Sequence, residues 1–153
     1  MGLVRPMRVT IVVSFLWCAG YVLGAGEVAS MSPSGKADGR QFHFKVTDTD
    51  VLSAPAWAMN APNPPLSARR AQEIARKQLD KFVREPSKWY FHELSLIDFG
   101  DHIHWLYVVR FERDYPADIA VTFGDYFEIP VLMSGAIFQP KIVSLSPDEV
   151  RPK

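Results

Sequence analysis

Apolar residues recur with a helical period between Ser67 and Val83. At about 100° per residue, Ala68, Ala71, Ile74, Ala75, Leu79 and Phe82 fall on one arc. Arg69, Arg70, Glu73, Arg76, Lys77 and Asp80 fall on the opposite arc. Ser67 offers a hydroxyl to the free N–H groups of a first turn. The pairs Glu73–Lys77 and Arg76–Asp80 have the i,i+4 spacing of helical ion pairs, and Pro86 stops the segment. The spacing predicts one amphipathic helix whose charged side is a solvated back.

A period of two replaces it further along. Lys88–Phe99 and His102–Arg113 read as two long strands joined at Gly100-Asp101, a suitable two-residue turn. In that register Leu96 faces Trp105, Leu94 faces Tyr107 and Asp98 faces Ile103. Leu94 and Leu96 then share a face with Ile103, Trp105, Tyr107, Val109 and Phe111, as a buried face requires. Trp89 and Phe91 have the opposite parity, which predicts a bulge near His92–Glu93. A second hairpin is expected over Phe127–Val143 about Ser134-Gly135, with Leu132 facing Ile137 and Glu128 facing Lys141. Pro130 and Pro140 each remove a ladder donor, so they call for edges or bulges.

Upstream, Gln41–Val46 alternates, with Phe42, Phe44 and Val46 on one side, and predicts a first strand. Ala54–Pro65 holds four prolines and reads as loop. Glu27–Arg40 is rich in Ser, Gly, Ala and charge without periodicity, and is expected to be a mobile lead-in. The sequence therefore divides into 1–26, a lead-in at 27–40, a strand and Pro-rich loop at 41–65, and an α+β domain at 66–147. One domain suits 153 residues.

Residues 1–26 have their own character. Arg5 and Arg8 precede an apolar run from Val9 to Leu23, and Gly24, Ala25 and Gly26 follow. This is the layout of a secretory signal peptide, and the run is shorter than the roughly 20 residues of a spanning helix. An uncleaved anchor is the alternative. Lipidation at Cys18 is disfavoured because bulky Trp17 precedes it. The expected location is exported, periplasmic or secreted, with no membrane span after cleavage. Lys plus Arg equals Asp plus Glu, 17 each, so no global field draws in nucleic acid. Cleavage would remove two arginines and the only cysteine, so disulfides cannot stabilise the mature chain.

The order of helix, hairpin and hairpin behind a signal peptide resembles the PepSY-like group of small exported domains. The likeness lies in Leu66-Ser67-Ala68-Arg69-Arg70-Ala71 through Leu79, in His104-Trp105-Leu106-Tyr107-Val108-Val109, and in Val131-Leu132-Met133-Ser134-Gly135. It covers residues 66–143. It implies one helix on an antiparallel sheet, and a role in binding or restraining peptidases or other extracytoplasmic proteins. The chain departs from the group with Met133-Ser134-Gly135 where an Asp-x-x-Thr-Gly-like turn is common, and with its Pro-rich lead-in. Cystatins share the outline, but their Gln-x-Val-x-Gly loop is absent.

Catalytic chemistry finds little support. His102-x-His104 would put two imidazoles on one strand face, a spacing able to supply two metal ligands, with His43 and His92 as further candidates. No third or fourth ligand follows at a recognisable spacing, and two polar residues on a solvated strand face explain the pattern. Ser134 before Gly135 is turn chemistry. Glu93, Asp98 and Asp101 point to different faces or sit in the turn, which disfavours an acid/base pair. Lys88-Trp89-Tyr90 is too short for a base-stacking platform. Phosphate-loop and dinucleotide motifs are absent. The sequence thus predicts an α+β domain, one amphipathic helix on a roughly four-stranded antiparallel sheet. It is expected to be non-enzymatic, without catalytic, cofactor or metal residues, and to bind or inhibit a protein or peptide. An envelope assembly component using an exposed sheet edge is the second expectation, and a metal-dependent hydrolase the third.

Overall fold

The computed structural model describes residues 31–116 and 125–146. Residues 1–26, read from sequence as a signal peptide, the start of the expected lead-in and residue 147 lie outside the described residues. The fold is α+β, with one main helix and a six-stranded antiparallel sheet. Its strands are β1 (Ser34–Ala37), β2 (Arg40–His43), β3 (Trp89–Asp98), β4 (Trp105–Arg113), β5 (Tyr126–Leu132) and β6 (Lys141–Ser144), in the spatial order β3-β4-β5-β1-β2-β6. The helices are α1 (Asp48–Leu52) and α2 (Ala68–Phe82).

The sheet has six strands where roughly four were expected, and residues 34–40 are not a lead-in: Ser34–Ala37 is a strand that pairs as a hairpin with the strand read at Gln41–Val46. Asp38 and Gly39 form its two-residue turn, both at positive φ (52° and 70°). Asp38 tolerates that conformation because its carboxylate accepts the Arg84 N–H (3.1 Å) and faces Arg113 (3.6 Å). The alternation read over Gln41–Val46 places the faces correctly, since Phe42, Phe44 and Val46 are buried and Lys45 is exposed. The regular strand ends at His43. Thr47 and Asp50 then close a capping box that starts α1.

Helix α2 matches its sequence reading at both ends. Ser67 Oγ accepts the Arg70 N–H, and the Val83 N–H closes the last turn on Leu79. Ala71, Ala75 and Leu79 are buried, and so is Gln78, whose carboxamide accepts from Lys81 Nζ. Arg76 and Asp80 pair at 3.1 Å, whereas Glu73 pairs backwards with Arg69 and Arg70. Arg76 is no mere solvated residue. It donates to the carbonyls of Pro86 (2.5 Å) and Trp89 (2.6 Å), tying α2 to the start of β3.

One row of the register crosses the whole sheet on the helix side: Phe91, Phe111, Phe127, Gly35, Phe42 and Ile142. Gly35 is the gap in this row. A Cβ there would overlap the Phe127 ring, and the vacancy lets that ring reach Phe42 (4.7 Å), Trp89 (5.6 Å) and Phe82 (6.0 Å, stacked). Core, helix and both halves of the sheet meet at this one side chain.

The β3–β4 ladder contains the expected bulge, a register shift between Phe91 and Glu93. The turn differs. Asp98 pairs with Trp105 and Leu96 with Tyr107, so the loop holds six residues and is closed by the Phe99 N–H on His104 (3.0 Å). The slip from the expected register is two residues, so every side chain keeps its face.

The expected Phe127–Val143 hairpin does not form. Its turn survives, with the Leu132 N–H on Ala136 and an isolated Val131–Ile137 bridge. Residues 141–144 then pair with β2 as the far edge. The β1–β2 hairpin occupies the flank of β5 that β6 would need, so the chain crosses three strand spacings, roughly 14 Å. Glu128 accordingly faces Arg110, not Lys141. Pro130 is tolerated on a central strand because pairing with β1 stops at Phe127.

Candidate functional site

The sheet has two unlike faces. Toward α2 lie Trp105, Tyr107, Val109 and Phe111 of β4 with Phe127, Ile129 and Val131 of β5, all buried. Tyr107 Oη donates to the Leu66 carbonyl (3.0 Å) and fixes the approach to α2. Burial raises the pKa of this phenol. The opposite parity is apolar at one end, where Leu106 and Leu132 are buried, and charged at the other.

Arg110 is the hub of the charged end. Its guanidinium binds Glu112 (3.0 Å), approaches Glu128 (3.6 Å) and lies over the Tyr126 ring (5.3 Å). Tyr90 Oη donates to the other Glu112 oxygen (3.0 Å), which raises the phenol pKa. His92 Nδ1 lies 3.4 Å from the same carboxylate. The bulge makes this meeting possible, since it turns His92 to the open face that a regular ladder would deny it. Ser34 and Tyr126 hydroxyls bridge β1 to the network (3.1 Å).

Beside this network is a groove of about 280 Å³. Glu93, Ser95 and Ile97 of β3, Val108 and Arg110 of β4, and Glu128 of β5 form its floor. Met31, Ser32 and Pro33 form its wall. Glu93 is the cross-strand partner of Arg110, yet the guanidinium is committed to Glu112 and Glu128. Among the described residues Glu93 has no ion-pair partner.

The histidines weighed from sequence are not on a common strand face. His102 (φ 61°) and His104 lie in the six-residue β3–β4 loop, each with its own aspartate: His102 Nδ1 to Asp98 and His104 Nδ1 to Asp101, both at 2.5 Å. An ionised carboxylate only accepts, so each Nδ1 carries the proton. Asp101 is held at a pKa of about 2, first by the His104 imidazole and then by the His104 and Ile103 amides. At Asp98 desolvation pushes upward, but the Gly100 and His102 amides and the His102 ring outweigh it and lower the pKa. Both aspartates act as caps of the loop. His43 lies on β2, opposite Ser34 and Lys141. Among the described residues no three His, Cys, Asp or Glu side chains converge on a point that could hold a metal ion, and no helix is long and apolar enough to cross a membrane. Ser134 Oγ accepts the Ala136 N–H within a turn whose Gly135 has φ 83°.

Arg110, Glu112, Tyr126 and Glu128 were missed as a group by sequence reasoning. The polar alternation of Arg110 and Glu112 with Val109 and Phe111 was visible, but the adjacency of β4 and β5 was not. Comparisons with protein-family models, curated proteins and solved structures each return no match for this chain.

Proposed function

We propose that this chain is an exported, non-enzymatic binding or inhibitory module that holds a protein or peptide segment on the open sheet face. The observation that carries the reading is the groove between Met31–Pro33 and β3–β5, which joins an apolar floor (Ile97, Val108) to charged groups (Glu93, Arg110, Glu128). A few placed charges beside apolar surface are what a binding cleft needs. Apart from Glu93, the ionisable groups nearby are already engaged: Glu112 by Arg110 and Tyr90, and Asp98 and Asp101 by loop amides. Such groups orient and recognise more readily than they exchange protons. Export rests on the layout of residues 1–26, and the PepSY-like resemblance of residues 66–143 points to a peptidase or another extracytoplasmic protein as partner.

The full chain, tagged after Lys153 and recovered from the cell envelope, should retain a partner by cross-linking. Ser95→Arg, which fills the groove from a half-buried edge position, should lose it while melting like the parent. Equal retention by Ser95→Arg would exclude the open face. A second reading, an assembly component of the cell envelope, draws on the far edge strand β6, where Ile142 and Val143 are 48% and 39% exposed. Concentration-dependent association abolished by Val143→Lys would favour it.

A further inference from the structure

The proposed binding reading leaves the chemistry of the bound segment open, and the edge of the sheet narrows it. Strand β3 is outermost, and β4 is its only neighbour in the sheet. Its bulge at His92 interrupts the edge near one end, but Leu94–Asp98 runs in unbroken register with Val109–Trp105. Among the described residues, nothing pairs with the outer backbone groups of that stretch. It is a regular template for one more strand.

A strand added there would set alternate side chains on the open face, next to Glu93, Ser95 and Ile97, at the mouth of the groove. The charges available to meet it are unbalanced. Glu93, Glu112 and Glu128 face one permanent cation, Arg110, with the His92 ring beside Glu112, and Arg110 is taken up by Glu112 and Glu128. Glu93 is the carboxylate without a cation. The same groove floor carries the apolar Ile97 and Val108 beyond Ser95 and Arg110, so a long aliphatic stem ending in a positive charge meets both kinds of surface. A second copy pairing β3 against β3 fits worse, because β3 (WYFHELSLID) contains neither Lys nor Arg.

We propose, resting on the binding-module reading, that the β3 edge at Leu94–Asp98 accepts an extended peptide segment as a seventh strand. One of its Lys or Arg side chains lies in the groove against Glu93. Backbone pairing supplies affinity for an extended chain, and Glu93 with Ile97 and Val108 selects a basic residue among apolar ones.

The probe is the peptide acetyl-Thr-Val-Lys-Val-Thr-Val-Thr-amide, titrated into the isotopically labelled full chain. Two further peptides carry N-methyl groups on alternate residues, one series for each edge of the extended peptide. The expected result is amide shifts centred on Leu94–Asp98, Val108 and Arg110. Replacing the peptide lysine by glutamate should weaken binding by about threefold to tenfold, because an attraction at the exposed Glu93 becomes a repulsion. Glu93→Gln should erase the difference between the two peptides. One N-methyl series should lose binding and the other keep it, because only one edge pairs. Binding that survives both series would overturn strand addition and leave the open-face module standing. Equal affinity of the lysine and glutamate peptides would overturn the basic specificity. Shifts at Lys141–Ser144 instead, or dimerisation that perturbs β3 without peptide, would overturn the site and its occupant. No binding by any peptide sinks the inference, whereas the binding-module reading is judged by retention of a cross-linked partner in Ser95→Arg.

Discussion

The two faces of the sheet are stabilised by different physics. On the helix side, Phe127 touches Phe42, Phe82 and Trp89, and none of the four side chains carries a charge. Burial there is not subject to ionic screening, and it punishes any lost volume. On the open side, Arg110 is shared between Glu112 and Glu128 with its side chain about one-third exposed. Ion pairs in that setting contribute little, because water already solvates each partner. The covered face holds the fold together, and the open face is left available for recognition.

That division can be broken by experiment, first where the effect is largest. Phe127→Ala should destabilise the domain by about 3–5 kcal/mol, as expected for an aromatic removed from a closed core. Urea unfolding would measure it, and a loss below about 1 kcal/mol would mean the row from Phe91 to Ile142 is not the centre of the fold. Arg110→Met should cost no more than about 1 kcal/mol. The half-buried carboxylates it abandons, 25% and 31% exposed, still reach water, and added salt should shrink even that difference. A loss comparable with that of Phe127→Ala would show the open face to be structural.

The smallest effect concerns the charged loop at the end of β3, and it should appear only in acid. Asp101 has its folded pKa depressed from 3.8 to about 2. Its contribution is therefore fully present above the unfolded value and disappears as pH falls through the folded one. Carboxyl resonances followed by NMR should titrate Asp101 near 2, and the Ile103 and His104 amides should exchange faster below that point. In Asp101→Asn the acid-induced change in exchange should vanish. A midpoint near 3.8 would remove the loop-capping role.

Helix α2 was legible because capping and amphipathic spacing act within a few residues, and Ser67 and Val83 are indeed its caps. The bulge at His92 was legible as well, since parity alone forces an extra residue between Phe91 and Glu93. Register on β3–β4 was right in face and wrong by two residues. The aspartates chose a six-residue loop, and carboxylate–amide bonds at Asp98 and Asp101 leave no mark in hydrophobic alternation. β1 escaped notice because its two buried residues, Gly35 and Ala37, are too small to mark an apolar alternation. Asp38-Gly39 was the available signal for that hairpin.

Local patterning by itself determined the helix, the faces of β2, β3 and β4, and the place of the last turn. Each follows from side-chain periods and backbone preferences that need no distant partner. Tertiary structure alone decided that β1 and β2 enter between β5 and β6, and with that the width of the sheet. It also decided that Glu128 meets Arg110, that Lys141 meets His43, and that Glu93 is left unpaired beside a groove. Strand order depends on which edges compete for the same flank. Phe127 settles that competition by needing the space over Gly35, a contact 92 residues away along the chain.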